Sequence, residues 1–277
     1  MSALEADWLG ACRRAGEGLR AVMADNPTTQ QRVRETGTVG GGGDDTLLID
    51  QWAEDAVFAE LDALHAQGHR FCAISEERGT VDYGDSDVRV VVDPIDGSTN
   101  AKRGLTHHAL SIAVADGPTM ADVAFGYVLD LGPSEEWWAR RGEGAYLDGE
   151  RLDPPPERRN SRGLLELVAI ESASPRWITR AGEELERTAG RVRAIGSIAI
   201  SLCQVAATRV DGMATLWKCR AVDAAAAQLI VRESGGLVAF TAMDDPLAAP
   251  LDLEPRSPVV AARTAQAISE LARLPAP

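Results

Sequence analysis

The stretch from Val90 to Asn100 reads VVVDPIDGSTN: an apolar β-branched run that ends in two carboxylates, a glycine and a helix-capping Ser/Thr pair. Consecutive valines favour a buried strand, so the fold must contain a strand that stops abruptly in polar groups. Pro94 holds the backbone extended between Asp93 and Asp96 and donates no hydrogen bond, which leaves the Ile95 carbonyl free as a hard oxygen ligand. The two aspartates can then converge on one or two divalent cations. Gly97 permits a sharp turn, and a helix starting at Ser98 or Thr99 would aim its free amides at a phosphate oxygen. An ordinary strand-to-helix turn with solvated aspartates competes for the Asp-x-x-Asp-Gly pattern alone. The longer string is harder to reach by accident.

A chain of 277 residues exceeds the usual single-domain size, which predicts one large two-part domain or two modest ones. The net charge of −14 disfavours nucleic-acid polymers and anionic membranes as a bulk effect. It still permits an anionic metabolite where bound cations reverse the local potential. The opening MSALEADWLG lacks the basic and apolar regions of a secretion signal, and no run approaches the ~20 apolar residues of a membrane span. Cys12, Cys72, Cys203 and Cys219 are scattered without zinc spacing, as reduced thiols of a cytoplasmic protein would be. His65 and His69 stand four apart, but Gly68 intervenes and marks a helix end.

Apolar spacing predicts an amphipathic helix over Leu4–Met23, a polar irregular stretch over Asn26–Thr38, and a second helix from about Asp50 to Ala66. Between them the run Gly40–Gly43 is either a disordered loop or a mobile active-site flap. Strands are predicted at Arg70–Ile74, Leu110–Ala115, Val123–Leu129 and Trp137–Arg140, the later ones forming an antiparallel sheet. The proline-rich run Asp153–Asn160 is the best boundary, dividing a subdomain of residues 1–157 from one of 158–277. Beyond it strands (165–170, 192–195, 212–217, 237–240, 259–262) alternate with helices (175–188, 196–208, 223–234, 265–273) in an α/β pattern.

Several acids in these segments have two readings. Asp50 sits near a helix start, where a carboxylate is favoured whatever its role. Of the adjacent Glu76 and Glu77 at a strand end, at most one would join a site. Asp223 precedes four alanines, a face small enough for close packing, and helix capping is its simpler explanation. Lys218 and Arg220 are solvated cations or phosphate contacts.

The segments ISEERG (74–79), VVVDPIDGSTN (90–100), RRGEGAYLDGERL (140–152), GSIAISLCQVAATRVDG (196–212) and VDAAAAQLIVRESGG (222–236) resemble, in order, the motifs of the inositol monophosphatase family. That family belongs to the magnesium-dependent, lithium-sensitive sugar-phosphatase superfamily. The flavour of DDTLLIDQWAED and GSIAISL is similar to archaeal-type enzymes that hydrolyse both inositol monophosphate and fructose 1,6-bisphosphate. The resemblance implies a layered αβαβα sandwich, of α+β or α/β class, and a homodimer. It implies that Glu76, Asp93 and the Ile95 carbonyl hold one Mg²⁺, that Asp93, Asp96 and Asp223 hold a second, and that Glu76 with waters supports a weaker third. Asp50 and Ser98 match the pair that orients and deprotonates the attacking water, with Glu76 alongside. The implied substrate contacts are Gly97 and Ser98, whose amides cradle the phosphate, with Arg193, Ser197, Lys218 and Arg220. The expected reaction is in-line attack of an activated water on a phosphate ester, without a covalent phosphoenzyme.

The chain departs from its relatives at Leu216, where animal enzymes place a ring-binding glutamate, and at Val222, usually tryptophan. Ala214, Thr215 and Leu216 also replace an archaeal Asp-x-Arg. Lys218, Arg220 and Arg193 remain as contacts for a second phosphate, favouring a bisphosphate. Histidinol phosphate or a nucleotide 3′-phosphate such as 3′-phosphoadenosine 5′-phosphate is the alternative substrate, and a non-catalytic scaffold the alternative role. A haloacid-dehalogenase mechanism fits less well, because its aspartates stand two apart and Asp93 and Asp96 stand three apart. His107 and His108 read as packing variants.

Overall fold

In a computed structural model covering residues 3–39, 45–85 and 87–274, two β-sheets are interleaved with helices. The Gly40–Gly43 run lies outside the described residues. The first part of the chain forms helices α1 (Trp8–Asp25) and α2 (Thr29–Arg32), a two-stranded ribbon of β1 (Glu35–Val39) and β2 (Asp45–Leu47), and helix α3 (Leu48–Ala66). There follow β3 (Cys72–Ser75), β4 (Gly79–Asp82), β5 (Arg89–Asp96), α4 (Ser98–Arg103), β6 (Ala109–Ala115), β7 (Val123–Asp130), β8 (Glu136–Arg140), β9 (Gly144–Leu147) and β10 (Glu150–Arg151). These eight strands make one sheet in the order β10-β9-β8-β7-β6-β5-β3-β4, in which only the β3–β5 pair is parallel.

The second part contributes β11 (Val168–Glu171), α5 (Pro175–Thr188), β12 (Val192–Arg193), α6 (Ile198–Ala206), β13 (Gly212–Thr215), α7 (Ala225–Glu233), β14 (Leu237–Phe240), β15 (Val259–Ala262) and α8 (Ala265–Leu271). Its five-stranded sheet runs β12-β11-β13-β15-β14, with β12, β11 and β13 parallel.

Side-chain alternation along the strands sorts the apolar residues into three cores. Val90 and Val92 face α1 and α3, joining Trp8, Leu19, Phe58 and Leu61. Val91, between them, faces the other way, into a core that also holds Leu202 and Val205 of α6, Leu229 and Ile230 of α7, and Ala169 and Ala261 of the second sheet. Val168, Ala214 and Val260 point outward again, beneath Leu185 of α5 and Leu271 of α8. The result is a five-layer αβαβα sandwich, as the motifs implied.

Local chemistry explains where the elements begin. Asp7 accepts from the Gly10 amide at 3.0 Å, so α1 starts at Trp8 rather than at Leu4. The stretch expected to be irregular contains α2, held by a capping box between Thr28 and Gln31. Strand β4 was not anticipated either, because it is a short polar edge with little periodicity. The alanines of α7 do pack closely: a Cβ at Gly126 on β7 would lie 2.5 Å from the Ala226 carbonyl. All four cysteines are free, and no helix among the described residues is long and apolar enough to cross a membrane.

Candidate functional site

Residues i and i+3 of a regular strand point to opposite faces, so Asp93 and Asp96 could not both serve one site on an unbroken β5. The structure resolves this with a β-bulge. Asp93 is paired with Ser111 and Asp96 with Ala109, so one extra residue sits on β5 between them. Pro94 occupies the break, where no ladder hydrogen bond is lost. Both carboxylates consequently line the same cavity, of about 770 Å³, together with Glu76, Ile95, Gly97, Ser98, Glu171, Ser174, Ser197, Arg220 and Asp223.

Each carboxylate arrives on a different element. Glu76 follows β3, parallel to β5, in the turn leading to β4. Asp223 follows β13 in the other sheet. It does not cap α7, which begins at Ala225 after Ala224 with no side-chain cap; instead it accepts from the Arg220 amide at 3.0 Å. The capping explanation of Asp223 is therefore replaced by a role in the cavity wall. Oxygens of Glu76, Asp93 and Asp223 lie within 4.8 Å of one another.

Such a cluster is electrostatically expensive without a cation. Burial pushes the Asp93 carboxyl well above the usual range, with the charges of Glu76, Asp96 and Asp223 adding to it. Burial and the charge of Asp223 raise Asp96 to about 7, although Ser197 and the Ala199 amide hydrogen-bond to it. Burial raises Asp223 too, opposed by Arg220. Arg220 bridges Glu76 at 2.7 Å and Asp223 at 3.5 Å, placing a positive charge among four carboxylates. Hard oxygen donors with residual negative charge suit Mg²⁺-like cations, so the donor set fits a divalent metal.

Asp50 lies in the first turn of α3, 8% exposed, with the Lys102 ammonium 3.9 Å away. It shares a small recess with Glu76, Asp93, Ile95 and Ser98. Ser98 opens α4 after Gly97, whose φ of 86° and close approach to the Gly196 carbonyl (2.8 Å from a hypothetical Cβ) exclude other residues. Because α4 is a six-residue helix, free amides rather than a summed dipole are what this turn presents to an anion.

Not all expected contacts reach the cavity. Arg193 is exposed on β12, donates to its neighbour Val192, and lines a different cavity of about 620 Å³ with His107, Gln204 and Arg209. Lys218 is exposed, its ammonium 5.8 Å from the Trp217 ring. Leu216 is fully buried in the core beneath α5 and α8 and offers nothing to a ligand. His107 is more than a packing variant: with a φ of 68° it hydrogen-bonds through Nδ1 to the buried Asp130 at 2.8 Å.

Two glutamates missed in the sequence hold the site's walls. Glu54, 3% exposed and one helical turn past Asp50, accepts from the Ser75 hydroxyl and the Arg78 amide, gripping the turn that carries Glu76. Glu171, at the end of β11, accepts from the Ile195 and Gly196 amides at 2.9 and 3.0 Å and from Ser201 at 2.7 Å. Their signal was an acid i+4 from a candidate residue and an acid ending an apolar strand.

The model of the inositol monophosphatase family matches residues 5–274. A fructose-1,6-bisphosphatase/inositol-1-monophosphatase of Methanothermobacter thermautotrophicus is 31% identical over 242 residues, covering 83% of each chain. The Nus factor SuhB of Escherichia coli K12 is 33% identical over 232 residues, covering 82% of this chain and 81% of its own. Among solved structures, the MJ0109 gene product, an inositol monophosphatase-fructose 1,6-bisphosphatase, superposes with a TM-score of 0.79 at 23% identity, covering 97% of this chain and 100% of that one.

Proposed function

The chain belongs to the inositol monophosphatase family, and from that premise we propose that it is a Mg²⁺-dependent phosphomonoesterase acting on a small sugar or polyol phosphate. One observation carries the reading. Three segments far apart in sequence, drawn from both sheets, bring the oxygens of Glu76, Asp93 and Asp223 within 4.8 Å of one another on the wall of one cavity.

Glu76, Asp93, the Ile95 carbonyl, Asp96 and Asp223 would hold two divalent cations. When bound, these neutralise phosphate charge and acidify water. The protein's own groups do the rest. The Gly97 and Ser98 amides receive the phosphate oxygens, and Ser197 lines the same wall. The Ser98 hydroxyl orients the attacking water, and Asp50, in the same recess, accepts its proton. The Lys102 ammonium stands 3.9 Å from that carboxylate. The reaction needs no covalent phosphoenzyme, because the attacking group is water.

Phosphate release from inositol 1-phosphate and fructose 1,6-bisphosphate, with Mg²⁺ and with EDTA, tests the proposal. Metal-dependent turnover of either supports it. A flat screen with Mg²⁺ present would instead favour a non-catalytic role, such as the name of the SuhB relative suggests for that protein.

A further inference from the structure

Gly97, the turn residue between β5 and α4, is packed between two carbonyls. A Cβ added to it would lie 2.8 Å from the oxygen of Gly196 and 3.0 Å from that of His107. The Gly196 side is fixed by Glu171, which accepts from the Ile195 and Gly196 amides. The other side rests on His107, whose carbonyl also accepts from the Asn100 side-chain nitrogen at 2.9 Å. Asn100, 9% exposed and third in α4, donates from the same nitrogen to the Ile195 carbonyl at 2.9 Å. One buried side chain thus ties both flanking segments to the helix that Ser98 opens.

His107 holds its place against backbone preference. Its φ of 68° lies in the left-handed region, which a residue with a Cβ seldom adopts. The ring supplies the anchor: Nδ1 donates to Oδ2 of Asp130 at 2.8 Å, a carboxylate with 0% solvent exposure. Oδ1 of Asp130 accepts from the Gly132 amide at 3.0 Å, which steadies the carboxylate at the end of β7. The next residue is pinned as well, the His108 carbonyl accepting from the Leu131 amide at 2.9 Å. Returning φ to the negative range would redirect the chain around His107 and carry its carbonyl off Gly97 and Asn100. The imidazole itself lines the second cavity, of about 620 Å³, which shares Asn100 and Ala194 with the carboxylate cavity. Its route to the carboxylate cavity is therefore the backbone.

We propose that His107 is a positioning residue for the phosphate group: its bond to Asp130 holds the His107 carbonyl against Asn100 and Gly97, and so sets the direction in which the Gly97 and Ser98 amides meet a phosphate oxygen. This rests on the phosphomonoesterase reading of the carboxylate cluster. The requirement is steep, because a misplacement of about 1 Å in groups that orient a reacting phosphate can cost on the order of a hundredfold in rate. A histidine–carboxylate pair kept only for packing would contribute to stability and leave the amides where they are.

The test is steady-state kinetics of the full-length protein with Mg²⁺ on inositol 1-phosphate and fructose 1,6-bisphosphate, with inorganic phosphate as inhibitor, well below each variant's melting temperature. His107→Gly suits the left-handed backbone and removes the bond to Asp130. It should lower kcat/KM about tenfold or more and raise the inhibition constant of phosphate about threefold or more. His107→Asn tolerates the same φ and places an amide N–H where Nδ1 stands, so it should retain most of both. Equal losses in the glycine and asparagine variants would overturn the role, since the bond is what they do not share. A glycine variant that melts lower yet keeps wild-type kcat/KM and phosphate inhibition would overturn it too and leave the phosphatase reading standing. Turnover of neither ester by the wild type overturns the phosphomonoesterase reading, and this role of His107 with it.

Discussion

Replacing Asp96 by asparagine should stabilise the metal-free protein while removing its activity. Asp96 is 7% exposed, and burial together with the charge of Asp223 raises its carboxyl from 3.8 to about 7. The folded state therefore binds this proton more tightly than the unfolded chain does. The stabilisation this provides is complete below pH 3.8 and is lost as pH rises through about 7. At about 1.4 kcal/mol per pH unit, holding Asp96 ionised above neutrality costs on the order of 4 kcal/mol. Asparagine escapes that cost but gives up the charge assistance in the bonds from Ser197 and the Ala199 amide, roughly 1–2 kcal/mol. The net gain near pH 8 is about 2–3 kcal/mol, a rise in melting temperature of roughly 3–5 °C for a chain of this size. Thermal melts in EDTA at about pH 8 and about pH 4 measure it, and the gain should vanish in acid. Adding Mg²⁺ should then reverse the order, since only the wild type gains the full binding contribution. A variant that melts below wild type in EDTA at the higher pH, or that Mg²⁺ stabilises as much as wild type, would refute the reasoning.

Ser98→Ala should lower kcat about a hundredfold with KM changed less than about threefold; an intact kcat in steady-state assays would leave Ser98 as no more than the first residue of α4. Glu54→Gln should weaken divalent-cation binding roughly tenfold by loosening the turn that carries Glu76, as second-sphere partners of ligands commonly do; calorimetric titration showing wild-type affinity would count against it. Because the Asp93 carboxyl is raised by burial and by its acidic neighbours, protons and cations compete for it. Apparent metal affinity should climb with pH, and a flat dependence would contradict this assignment.

The carboxylate wall of the cavity was legible in the sequence because its chemistry is local. Asp93, Pro94, Ile95, Asp96, Gly97 and Ser98 occupy consecutive positions, and the valines before them announce the strand. Their convergence was less legible: three-residue spacing on a strand predicts divergence, and only the bulge against β6 makes both aspartates face one cavity. Asp223 was ambiguous in isolation because an acid before a run of alanines looks like a cap; that it is not one depends on Arg220 curling back to meet it. Long-range partners left the faintest trace. Trp177 and Trp217 stack although forty positions separate them, and Glu54 grips a turn more than twenty residues away, relationships that neither period nor motif encodes. Arg193 had the right charge but the wrong face, since β12 is an edge strand directed toward a separate cavity.

Helix α7 lies on β7 with backbone against backbone, Gly126 beneath the Ala226 carbonyl. Two residues before α7 stands Asp223, so the helix works as a spacer whose thickness sets how far this carboxylate stands from the others. The smallest addition to this seam, Gly126→Ala, would thicken the spacer without touching the cavity, and the displacement would pass along a rigid element to a carboxylate that must meet Asp93 and Glu76. The geometry of the carboxylate cluster is thus set by a close contact buried between sheet and helix, where a surface inspection of the cavity would never find it.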